Sequence, residues 1–159
     1  MTNNIDEIIK CIGTKDYQVI IEEKIKFLRE MFVPVIIVQS SAIILEENIF
    51  EAGKIQWIKP TIDRPLKTPL KIMVDGINLS GIKFLAVFLH ECGHVKDYDN
   101  PDIELKTIAS EKSAWIHASK DFLSCNPQKA DKEIFYFKMK KSLESYDITI
   151  NRIEDILIL

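Results

Sequence analysis

An α+β fold with a small mixed or antiparallel sheet is what this sequence predicts, and three observations carry it. Short β-branched or alternating apolar runs cluster between residues 33 and 74. A helical pattern precedes them. Helical segments with their own start and stop signals follow them. That order, helix then strands then further C-terminal helices, fits one layer of sheet covered by helices. At 159 residues the chain suits a single domain, 1–159, with a core large enough to need no staples.

Each element has a local reason. Residues 4 to 31 read as helix, broken near Gly13. Ile20, Ile21, Ile25, Phe27 and Leu28 form the apolar face, and Glu22, Glu23, Lys24 and Lys26 the wet one. Pro34 closes this segment. VPVIIVQ and SAIIL are β-branched and short, and KIQWIK alternates, with Ala52-Gly53 as the turn before it. Residues 59 to 69 hold Pro60, Pro65 and Pro69 and read as an irregular loop. LKIMV is a further strand, closed by Asp75-Gly76. Ser80 is placed to cap a helix from Gly81 to Asp97. Asn100-Pro101 breaks the chain, Asp102 is placed to cap a helix running to about Leu123, and Pro127 opens a third that ends near Ser145. The tail DITINRIEDILIL is apolar and carries no element signal.

Bulk properties narrow the function. Hydrophobic residues at 47% and charged residues at 28% are ordinary for a soluble globular protein. A net charge of −3 gives no basic field for nucleic acid or an anionic membrane, so neither is expected as a partner. Cys11, Cys92 and Cys125 form no CxxC pair, and an odd count without a framework suggests free thiols in a reducing compartment. The polar, acidic start MTNNIDEIIK does not resemble a signal peptide. No apolar run approaches the roughly 18 residues of a membrane span. A cytoplasmic location is the expectation.

One constellation carries chemistry. FLAVFLHECGHVKDY contains His90-Glu91-Cys92-Gly93-His94. Histidines at i and i+4 on a helix point the same way, one turn apart. Their ring nitrogens can converge on one ion, and Glu91 can reach a coordinated water without binding the metal itself. Zinc lowers the pKa of such a water toward about 7, and the glutamate accepts its proton as general base. Phe84, Leu85, Val87, Phe88, Leu89, Cys92 and Val95 make this helix apolar nearly all round, so it belongs in the interior. Two imidazoles and a carboxylate there are costly unless compensated, and a metal compensates all three. The rival reading is a buried helix with hydrogen-bonded histidines and Glu91 at the surface. Cys92 reads as core packing, and Gly93 as a point of close approach for another helix.

Zinc needs a third protein ligand, with one position left open. In IELKTIASEKSAWIHASKDFL the apolar stripe is Ile108, Ala114, Trp115, Ala118 and Phe122, and Glu111 lies on it. A carboxylate on a core-facing stripe wants a cation, which makes Glu111 the leading candidate. Glu104, His117 and the Asp97/Asp99 pair are alternatives. Asp97, one turn after His94, could also accept a ligand histidine's outer N–H and fix its tautomer. Tyr98, nearest in sequence, the other tyrosines and His117 are candidates to stabilise an oxyanion, and the sequence does not decide among them. Trp115 reads as a core anchor beside the site.

FLAVFLHECGH followed by SEKSAWIHA resembles the zincin metallopeptidases, and within them the ImmA/IrrE-type family with a glutamate third ligand. The resemblance spans about residues 70 to 123. It implies a zincin-like fold, zinc bound by His90, His94 and Glu111, Glu91 as catalytic base, and a cleft lined by the strand at Leu70 to Val74. It also implies a protein or peptide substrate, since members often cleave transcriptional repressors. The expected function is therefore a zinc-dependent peptidase acting on a particular protein partner, with substrate added as a strand at a free edge at Leu70 to Val74. The alternatives are a non-enzymatic binding module on the same fold, docking through an exposed RIEDILIL tail, and a hydrolase of some other amide bond.

Overall fold

The structure is a computed structural model, and it describes residues 4–39, 53–63, 67–104 and 107–158. The N-terminal helical pattern forms two helices, α1 (Asn4–Ile12) and α2 (Gln18–Glu30). The break falls at Gly13, whose φ of 81° ends α1 in the left-handed region while its N–H still reaches the Ile9 carbonyl at 2.8 Å. Helix α2 buries Ile20, Ile21, Ile25 and Leu28 and leaves Glu22 and Glu23 exposed, as its amphipathic pattern requires.

Three strands form one mixed sheet: β1 (Val35–Val38), β2 (Gly53–Ile58) and β3 (Thr68–Asp75), in the order β1-β3-β2. β3 runs parallel to β1 and antiparallel to β2. The expectation of a free edge at Leu70 to Val74 is therefore wrong. This strand is central and hydrogen-bonded on both sides. Its sequence carries the physical reason: Ile72, Met73 and Val74 are consecutive and all buried, the mark of a strand covered on both faces. The expected strand at SAIIL and the Ala52 half of the Ala52-Gly53 turn lie outside the described residues. Asp75 closes β3 by accepting hydrogen bonds from the backbone N–H groups of Ile77 and Asn78 (2.8 and 3.0 Å) and from the Asn78 amide (2.9 Å).

Three helices follow: α3 (Gly81–Lys96), α4 (Ile108–Ser124) and α5 (Lys129–Glu144), then a 3-10 helix (Ile153–Ile158). Ser80 occupies the N-cap of α3, although its side chain makes no capping hydrogen bond. Asp102 does not cap α4. The Asn100 side chain accepts from the Asp102 N–H in a turn (3.0 Å), and the cap passes to Thr107, whose hydroxyl accepts from Ser110 N–H at 3.2 Å.

From Ile82 to Val95 every residue of α3 but Lys83 is buried, which makes this helix the centre of the core. α4 supplies Ala114, Trp115, Ala118 and Phe122 to that core, whereas Ile108, in its first turn, is exposed, contrary to its place on the predicted stripe. Part of the tail packs back onto the domain: Ile150, Ile153 and Ile156 are buried, and the Tyr136 hydroxyl donates to the Ile150 carbonyl at 2.9 Å, while Leu157 and Ile158 are exposed. Among the described residues no helix is long and apolar enough to cross a membrane. The three cysteines are free thiols.

Candidate metal centre

Gly93 sets the distance between α3 and α4. A Cβ built there would lie 2.6 Å from the Ala114 carbonyl oxygen and 2.9 Å from its Cα, so only glycine admits this approach. Ala114 is three residues beyond Glu111, and the contact brings that carboxylate over the two motif histidines. Nε2 of His94 stands 3.1 Å from Nε2 of His90 and 3.1 Å from Oε1 of Glu111. Nε2 of His90 stands 3.1 Å from Oε2 of Glu111.

Among the described residues, His90, His94 and Glu111 form a group able to hold a metal ion. Ligands in a tetrahedron at about 2.0–2.1 Å from zinc lie about 3.3–3.4 Å apart. The measured separations are close to that, and two imidazoles with one carboxylate are a donor set zinc accepts. The residues present fit an ion. The chemistry does not single out zinc, because imidazole and carboxylate ligands also suit other divalent metals.

Protonation at the site differs between the two histidines. Burial drives the His90 imidazole down to about 4 against the pull of Glu111, and the neighbouring His94 adds to the drop. Burial also opposes a charge on His94, but its hydrogen bond to Glu111 and the fields of Glu91 and Asp97 win and raise it above the ordinary histidine value. Burial would keep Glu111 neutral, yet its hydrogen bonds to the two histidines hold it well below the usual carboxylate range. Near neutral pH the site thus offers an ionised carboxylate and, at His90, an imidazole with a free lone pair, while a metal would compete with the proton that Glu111 favours on His94.

The flanking contacts differ for the two histidines. Nδ1 of His94 meets the buried Ser110 hydroxyl at 3.2 Å, which can hold Nε2 toward the shared point. The sequence signal for Ser110 is its place one turn before Ala114 and two before Ala118, on the buried side of α4. Asp97 does not take the role considered for it. It accepts from Ser113 (2.5 Å) and pairs with His117 Nε2 (2.9 Å). His117 is thereby tied to the end of α3 rather than joined to the ligand group. Glu104 is exposed and enters through its carbonyl, which accepts from the Thr107 hydroxyl.

Glu91 is buried, 7% exposed, which contradicts a surface position for it. It packs under the start of β2: a Cβ on Gly53 would come within 3.1 Å of Glu91 Cγ and Oε1 and 2.6 Å of Val87 Cγ1. The glycine lets the β2 backbone lie directly on the carboxylate that follows the first ligand.

No family model, no curated protein and no solved structure matches the chain.

Proposed function

We propose that the chain is a zinc-dependent peptidase of the zincin type, resembling the ImmA/IrrE-type enzymes, in which His90, His94 and Glu111 hold the metal and Glu91 is the general base. The observation that carries this reading is the meeting of three ligand atoms from two helices, with a second carboxylate, the buried Glu91, beside the first ligand. A bound zinc would supply Lewis acidity and bring the ionisation of a coordinated water toward neutral pH. His90 and His94 orient their Nε2 atoms, and Glu111 contributes the negative charge. Glu91 takes up a proton at its carboxylate and passes it to the departing amine. Burial under Gly53 keeps that carboxylate out of bulk water.

A peptide substrate is favoured by the position of β2. The first residue of this strand touches Glu91. An extended chain lying near that end of β2 would stand beside the base. The rival reading, a binding module that docks through its tail, keeps among the described residues only Leu157 and Ile158 as exposed apolar contacts, because Ile153 and Ile156 are buried.

The test is metal content and turnover together. The purified protein is expected to take up about one zinc per chain. Glu91→Gln should keep that zinc and lose peptide hydrolysis by about 100-fold or more. A parent protein that takes up no zinc when supplied with it, or a Glu91→Gln variant as active as the parent, refutes the reading.

A further inference from the structure

The two motif histidines present their Nε2 atoms to the same point but are held in different ways. His94 has the Ser110 hydroxyl at its Nδ1. His90 Nδ1 is buried and has no hydrogen-bond partner among the described residues. A ligand imidazole usually has its ring fixed by a partner at the outer nitrogen, and without one it can turn about its Cβ–Cγ bond and lose its aim. What His90 has instead is an aromatic wall. Its ring lies on the Trp115 indole, centroids 4.2 Å apart and planes 28° apart.

The wall is itself fixed. Trp115 is 2% exposed, its Nε1–H donates to the Ser142 hydroxyl on α5 at 3.1 Å, and the Phe135 ring meets it edge-on at 5.9 Å. Three elements therefore converge to hold one plane: α3 carries His90, α4 carries Trp115, and α5 carries Ser142 and Phe135.

We propose that Trp115 is a positioning residue for the metal centre, holding the plane of His90 by stacking where His94 is held by a hydrogen bond. This rests on the metal-site reading above and adds a role to a side chain that would otherwise only fill the core. A metal ion withdraws charge from an imidazole it binds, and an electron-rich indole face favours a ring made more positive. The stack is therefore stronger with metal present, which makes it a contribution to affinity as well as to folding.

The experiment uses the full chain. Zinc affinity is measured by competition with a chromophoric chelator for the parent, Trp115→Phe, Trp115→Leu and Ser142→Ala, and the visible absorption of each cobalt(II)-loaded protein is recorded. Trp115→Phe keeps an aromatic face and should stay within about threefold of the parent. Trp115→Leu should lose about tenfold or more, the range of lost support for a ligand histidine, with a changed cobalt band. Ser142→Ala should fall between them.

A second arm does not depend on Trp115→Leu folding: in Trp57→Phe, Trp115 is the only indole, and its fluorescence should change on adding zinc. Unchanged fluorescence in that variant, or a folded Trp115→Leu with parental affinity and cobalt spectrum, overturns the inference while leaving the ligand set intact. A parent that binds neither zinc nor cobalt overturns the metal reading itself, and this inference with it.

Discussion

Gly93→Ala tests the link between helix packing and the ligand geometry. The added methyl would stand 2.6 Å from the Ala114 carbonyl oxygen, 2.9 Å from its Cα and 3.1 Å from its carbonyl carbon. Comfortable carbon contacts begin near 3.5 Å, and the nearest carbon is the Cα, so α4 must retreat by roughly 0.6 Å. Trimming the Ala114 side chain cannot relieve this, because the three nearest atoms are all backbone. Overpacking of this kind costs about 1–3 kcal/mol. Alanine in place of a helical glycine returns about 1 kcal/mol. The net loss is thus up to about 2 kcal/mol, a fall in Tm of about 4–8 °C for a domain of this size. The effect on metal should be larger than the effect on folding. Glu111 is one turn before Ala114 and moves with it, which opens separations of 3.1 Å toward roughly 3.7 Å. Zinc affinity should fall at least tenfold, read by chelator competition on protein shown to be folded by circular dichroism. A Gly93→Ala variant that melts and binds zinc like the parent would refute the argument that this contact sets the position of Glu111.

Two further outcomes follow from single contacts. Ser110→Ala removes the hydroxyl at His94 Nδ1 and should weaken zinc binding by about tenfold with little change in Tm; equal affinity would mean that the ring needs no such support. The Tyr17 hydroxyl donates to Asp131, and burial together with that bond raises its pKa above the ordinary tyrosine value. A raised folded-state pKa contributes stability that is fully present below the unfolded value of about 10 and is lost as pH climbs above it. Alkaline unfolding should therefore steepen above about pH 10 in the parent, and Tyr17→Phe should flatten that slope while costing about 1 kcal/mol at pH 7. Identical alkaline profiles for the two proteins would show that Tyr17 is not the titrating group.

How much of this was legible in the sequence depends on how local the signal is. The α3 boundaries and its burial follow from Ser80, from the apolar residues on all its faces and from Asp97, all within one segment. The placement of Glu111 needs only the periodicity of α4, since Ala114, Trp115, Ala118 and Phe122 fix the buried side and Glu111 lies one turn before Ala114 and Trp115. The same pattern misplaces Ile108, because a residue in the first turn can lie on the stripe and still project past the end of the partner helix. The order of the strands is a different matter. Which strand takes the centre is decided by pairing between segments distant in sequence, and no local rule supplies it. LKIMV did carry one hint, the three consecutive apolar residues Ile72, Met73 and Val74, of the kind a doubly covered strand has. The exchange of Asp97 for Ser110 beside His94 has the same origin: Asp97 is nearer in sequence, but α4 crosses α3 so that Ser113 and His117 meet Asp97 and Ser110 meets His94.

The cost of the arrangement is the strongest reason to read it as a metal centre. His90, Glu91 and His94 are each less than 10% exposed on a helix otherwise made of core residues. Glu111 joins them with its charge favoured by both imidazoles. A buried polar group that only has to be tolerated is replaced at little loss by an apolar one of similar volume. Filling these four positions with leucine and methionine should therefore give a protein at least as stable as the parent in the absence of metal. In the presence of zinc the order should reverse, since an ion that binds only the folded parent stabilises it by about 4 kcal/mol at a thousand times its Kd. Thermal melts of the two proteins, with and without zinc, measure both halves. A parent that is the more stable protein without zinc, and gains nothing when zinc is added, would mean that the four side chains are structural and that their convergence has no bearing on catalysis.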